Sequence, residues 1–140
     1  MTGGEAIVVK GSQAVYGKVR MDGDTLCDFC THKRCDSFSG SPLQFWKEYM
    51  RFRTNKFGPP TSTSEIQSRF DPQGFEFTVQ DHFNKSAEEL HRIAKTELDI
   101  ATQNDRSDGY ICGYDDYFFV IRLDQSPGHR VEDVYDQGNY

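Results

Sequence analysis

Cys27-Asp28-Phe29-Cys30-Thr31-His32-Lys33-Arg34-Cys35 is the stretch whose residue types and spacing could do chemistry. Two cysteines separated by two residues form a knuckle that lets both thiolates reach one ion, and tetrahedral sulfur and nitrogen ligation suits zinc. Cys35 would be a third ligand, and the fourth would come from His32 or from Cys112 far downstream. Lys33 and Arg34 would offset part of the negative charge of such a thiolate-rich site. The competing reading is three reduced thiols in a loop, with Cys27 and Cys30 prone to form a disulfide. Cys112 itself, between Tyr110 and Tyr114, has the setting of a small buried hydrophobe rather than of a ligand.

The opening of this stretch resembles the retroviral-type zinc knuckle, C-x2-C-x4-H-x4-C. Cys35 stands where that pattern has its histidine and Gly40 where it has its last cysteine, so no function is carried over. A second group is basic and aromatic. Lys47, Arg51 and Arg53 interleave with Trp46, Tyr49 and Phe52, and Lys56 follows. Rings stack on unpaired bases while cations track phosphates, so this composition could serve a single-stranded nucleic acid. An amphipathic helix with a solvated charged face explains the same residues and is favoured, because the chain as a whole is acidic.

Acid–base work needs histidines and carboxylates at one place. His82, His91 and His129 are scattered, and Asp108, Asp115, Asp116 and Asp124 border an apolar segment without a recognised spacing. A thiol nucleophile at Cys30 or Cys112, served by one of the histidines, has no supporting motif. No glycine-rich phosphate loop, H-E-x-x-H or G-x-S-x-G occurs. Solvated side chains are the expectation for each of these histidines and aspartates.

The elements that must position these groups begin with a three-strand meander. Residues 5–10 are rich in branched side chains, Gly11-Ser12 is a two-residue turn, and residues 13–21 form the second strand. Asp22-Gly23 reads as a second hairpin turn, with a third strand over 24–29 carrying Cys27 into the cysteine loop. Ser41-Pro42 with Gln44 opens a helix as a capping box. Its apolar stripe is Leu43, Trp46, Tyr49 and Met50, while Phe45 and Phe52 fall outside it and are either covered or offered to a partner. The Thr/Ser run at 61–64 could cap a short helix through Phe70. Phe75, Phe77 and Val79 alternate with polar residues as a half-wet strand, and Ser86 with Glu89 caps a helix whose face is Leu90, Ile93, Ala94, Leu98 and Ala101. A last hairpin would turn at Asp115-Asp116, pairing Tyr114 with Tyr117 and Cys112 with Phe119. Its two apolar faces imply interior strands.

These elements make an α+β fold, a single domain over 1–124 whose mainly antiparallel sheet packs against two main helices. The acidic segment 125–140 is expected to be peripheral or disordered. The 140 residues suit one such core, with 36% hydrophobic and 14% aromatic side chains. The net charge of -6 is uneven, at +3 over residues 1–60, -2 over 61–96 and -7 over 97–140. That balance argues against a coat for duplex DNA or anionic lipid, and no apolar run or export-type N-terminus points to a membrane. The expectation is a small acidic cytoplasmic protein with a binding or regulatory role. It would act through another protein, one with a basic surface, and hold its cysteine loop with zinc. The alternatives are a small thiol- or His/Asp-based hydrolase or transferase, and a knuckle-like binder of single-stranded nucleic acid.

Overall fold

The structure, a computed structural model, describes residues 3–19, 23–31, 34–57, 74–101 and 115–134. Strands β1 (Gly3–Lys10) and β2 (Gln13–Val19) form the first hairpin, closed by Gly11 at φ 60°. Helices α1 (Gly23–Thr31), α2 (Arg34–Ser37) and α3 (Pro42–Phe57) follow, then β3 (Phe75–Thr78), a 3-10 turn (His82–Asn84), α4 (Ala87–Ala101), β4 (Asp115–Arg122) and β5 (Val131–Asp133). The strands make one sheet in the order β3-β2-β1-β4-β5. All its neighbours are antiparallel except β1 and β4, which run parallel from Gly3 opposite Asp115 to Val9 opposite Arg122. The class is α+β with a mixed sheet.

Alternation along the central strands divides the interior into two cores. Ala6, Val8, Val15, Phe119 and Ile121 point toward α1 and α3, meeting Leu26, Phe29, Phe45, Trp46 and Tyr49. Ile7, Val9, Tyr16, Phe118 and Val120 point the other way, onto Leu90, Ala94 and Leu98 of α4. Helices therefore cover both faces of the sheet, which is why β1 and β4 are apolar at successive positions. Phe45 is buried and Phe52 half-buried, so both flanks of α3 are covered. Both capping boxes form: Ser41 N–H donates to Gln44 Oε1 at 2.8 Å, and Ser86 N–H to Glu89 Oε1 at 3.0 Å.

Three expectations need correction. Residues 23–31 are helix, not a third strand, so the N-terminal meander stops at two strands. The physical reason lies in the spacing of Leu26, Phe29 and Cys30, which puts three buried side chains on one helical face. Asp115 and Asp116 are the first residues of β4 rather than a turn, since the chain continues through them alongside β1, with a shift in register that leaves Asp116 unmatched between Gly3–Asp115 and Gly4–Tyr117. The segment read as an acidic tail supplies β5, whose Val131 pairs with Ile121. The expected helix toward Phe70, the strand around Cys112 and the last residues, 135–140, lie outside the described residues.

Candidate functional site

Four phenylalanines converge where α1 meets α3. Phe29 of α1 lies edge-on to Phe45 of α3 at 5.2 Å between ring centroids and tilted to Phe52 at 5.4 Å, and Phe38 meets Phe45 at 90°. Together with the 37–40 loop, Glu48 and Arg51 they line an open groove of about 590 Å³. Phe29 and Phe45 are buried and make its floor, whereas Phe38 and Phe52 are half-buried walls. Arg51, with 65% of its side chain exposed, stands on the rim in an ion pair with Glu48 one turn earlier.

The near wall is fixed from the far end of the chain. Arg130 Nη1 donates to the carbonyls of Cys35, Asp36 and Phe38 at 2.8, 3.2 and 3.0 Å, so one guanidinium satisfies the open end of α2. Gly128 N–H donates to Asp36 Oδ1 at 2.8 Å beside it. Lys10 Nζ reaches the Ser39 carbonyl at 3.4 Å. The loop that carries Phe38 is thus held by cations from β1 and from the β4–β5 connection.

The residues singled out by composition separate here. Arg51 and Phe52 are at the groove and Lys47 is exposed on the outer side of α3, but Trp46 and Tyr49 lie in the core at 1% and 0% exposure. Arg53 is half-buried. Cys27 is half-buried on α1, and Cys30 and Cys35 are buried in the same core cluster as Phe29 and Phe45. All three are thiols, with the Cys35 Sγ–H directed to the Cys30 carbonyl at 3.2 Å. His32 and Cys112 lie outside the described residues. Among the described residues no group of three or more His, Cys, Asp or Glu side chains could hold a metal ion. Nor, among them, is any helix long and apolar enough to cross a membrane.

On the opposite face of the sheet lies a cluster that composition did not reveal. Glu5 of β1 is buried at 1% exposure, and its Oε1 accepts from Tyr16 Oη at 2.5 Å and from His91 Nε2 at 2.8 Å, with Lys95 Nζ at 3.7 Å. Lys95 also sits over the Tyr16 ring at 5.0 Å, and the His91 ring lies 4.8 Å from that of Phe118. Buried Lys18 is the cross-strand neighbour of Glu5 on the same face. The expectation of a solvated His91 is corrected by this geometry. The one sequence signal was Glu5 itself, a charge at the same strand parity as Ile7 and Val9.

His82 is corrected in the same way. It is 2% exposed, with Nε2 at 2.9 Å from Asp124 Oδ2 and Nδ1 facing Arg122 Nη1 at 3.3 Å. Arg122 also donates to the His82 and Lys85 carbonyls, which ties the 3-10 turn to the end of β4.

No protein-family model matches the chain, and no curated protein or solved structure matches it either.

Proposed function

We propose that this α+β protein is a small binding or regulatory module that takes an apolar segment of a protein partner into the groove between α1 and α3. The observation that supports it is the convergence of Phe29, Phe38, Phe45 and Phe52 on an open concavity whose walls, Phe38 and Phe52, are only half-buried, aromatic surface that a monomer gains nothing by leaving wet. Buried rings make the floor and a charged pair stands at the rim, which is the arrangement of a recognition pocket: burial supplies affinity and charge supplies orientation. A cytoplasmic setting fits this role. A display selection with random peptides tests it. Enriched peptides should share a bulky apolar residue, and their affinity should fall at least about tenfold in Phe52→Ala, equivalent to about 1.4 kcal/mol. Arg51→Glu should change which charges flank that residue. Peptides that bind Phe52→Ala as tightly as the parent protein would overturn the proposal.

The state of the thiols belongs to the same reading. Burial of Cys30 and Cys35 and their thiol–carbonyl hydrogen bond favour thiols packed in the core. The zinc staple at Cys27, Cys30, Cys35 and His32 is the competing form, favoured by Cys27 and Cys30 standing one helical turn apart. Elemental analysis of protein purified without chelator separates them: packed thiols carry no stoichiometric zinc, and a staple carries about one ion per chain.

A further inference from the structure

Tyr16 and His91 hydrogen-bond to one buried carboxylate oxygen of Glu5, and Lys95 forms an ion pair with it, on the face of the sheet away from the groove. Burying a carboxylate there is costly unless donors surround it, and a plain apolar core would fold without it. What the cost secures is orientation. A carboxylate oxygen offers lone pairs only, so His91 presents Nε2–H to Glu5, and in the neutral ring the lone pair is then on Nδ1. The Glu5–His91 pair has the form of a base and its orienting partner. His91 and Lys95 remain 29% and 30% exposed, one helical turn apart on α4, so solvent and a ligand can reach both.

The cluster holds a base and cations but no available nucleophile: the Tyr16 hydroxyl is spent on Glu5 and its residue is 2% exposed. A substrate that brings its own nucleophile and carries a negative charge for Lys95 to meet suits such a centre. Single-stranded RNA does both, with each 2′-hydroxyl next to a phosphodiester. We propose that this cluster is an acid–base centre that cleaves single-stranded RNA by internal transesterification. His91 Nδ1 takes the 2′-hydroxyl proton as the 2′-oxygen bonds to phosphorus. The Lys95 ammonium offsets the charge that builds on the phosphoryl oxygens and gives its proton to the departing 5′-oxygen as the P–O5′ bond breaks. The products are a 2′,3′-cyclic phosphate and a 5′-hydroxyl end, and solvent then takes the proton from His91 and returns one to Lys95. Glu5 is a positioning residue in this scheme, and His91 and Lys95 are the catalytic ones.

The experiment incubates the full chain with a fluorescent single-stranded RNA oligonucleotide, and separately with DNA of the same sequence, both in EDTA. Cleavage of RNA to fragments ending in a 2′,3′-cyclic phosphate, with DNA intact, is expected. His91→Gln should slow it at least about 100-fold, the usual contribution of a general base, while the circular dichroism spectrum is unchanged. Lys95→Gln, at a site exposed enough to leave folding intact, should slow it comparably, and Glu5→Gln should displace the pH profile of the rate. The rate should fall only modestly with salt, since the slope scales with the number of cations on phosphates and Lys95 is the one invoked here. Intact RNA, or cleavage that proceeds at the parent rate in both His91→Gln and Lys95→Gln, overturns the proposal.

Discussion

The Asp124 carboxylate accepts from the N–H of Gly11 at 2.8 Å and from His82, joining the β1–β2 turn, the 3-10 turn and the end of β4. Burial pushes its acidity down, but the hydrogen bonds from Gly11, His82 and its own backbone N–H outweigh that, and its pKa is held below the ordinary aspartate value. A carboxyl whose folded pKa lies below its unfolded one stabilises the protein fully above the unfolded value, about 3.9, and loses that stabilisation as pH falls through the folded one. Asp124→Ala should therefore cost roughly 1–2 kcal/mol in urea unfolding at pH 7. The difference from the parent protein should shrink between about pH 4 and pH 2. A gap that persists undiminished in acid would refute this account. Single residues were also where the sequence was least legible. Strand parity placed Glu5 among apolar neighbours, but only the register of β1 against β2 and the docking of α4 bring Tyr16, His91 and Lys95 to it. Long-range pairings of that kind leave no mark on local spacing.

Elements were more legible where their own termini carried the information. Ser41 with Gln44 and Ser86 with Glu89 announce α3 and α4, and each reciprocal pair of hydrogen bonds is present, Ser41 Oγ accepting from Gln44 N–H at 3.2 Å and Ser86 Oγ from Glu89 N–H at 3.1 Å. The Glu89 carboxyl is correspondingly held below its usual range, first by the Ser86 backbone N–H. Residues 24–29 misled because Asp22-Gly23 is a strong hairpin dipeptide, yet here Gly23 begins α1. How α3 lies on the sheet could not be read from its own face either. Gly17 of β2 is in contact with the Trp46 ring, and a methyl group at Gly17 would fall well inside that ring's van der Waals surface. Gly17→Ala should push α3 away from β2 and destabilise the protein by about 1–3 kcal/mol, measured by chemical denaturation with Trp46 fluorescence as the probe. A neutral effect would mean that α3 and β2 do not approach this closely.

For the molecule as a whole, the charge asymmetry acquires a structural meaning. The acidic last third contributes two arginines to structural roles, Arg122 on the 3-10 turn and Arg130 on the groove wall. A boundary at Asp124 would remove Arg130 and β5 while leaving β4 in place. A chain of residues 1–124 should be less stable than the full chain by at least about 2 kcal/mol, because the carbonyls of Cys35, Asp36 and Phe38 lose a charged donor. Equal urea midpoints for the two chains would exclude that role. The parallel pairing of β1 with β4 has a further consequence, one of timing. Strand β1 lies at the centre of the sheet, and one of its two edges is satisfied only by residues 115–122, made long after it. The β1–β2 hairpin must wait through the synthesis of about a hundred residues, several seconds at common elongation rates, with an apolar edge unpaired. Loop closure over that separation also makes spontaneous refolding slow for a chain of this size. Nascent chains arrested before β4 are the form of this protein that a chaperone would meet.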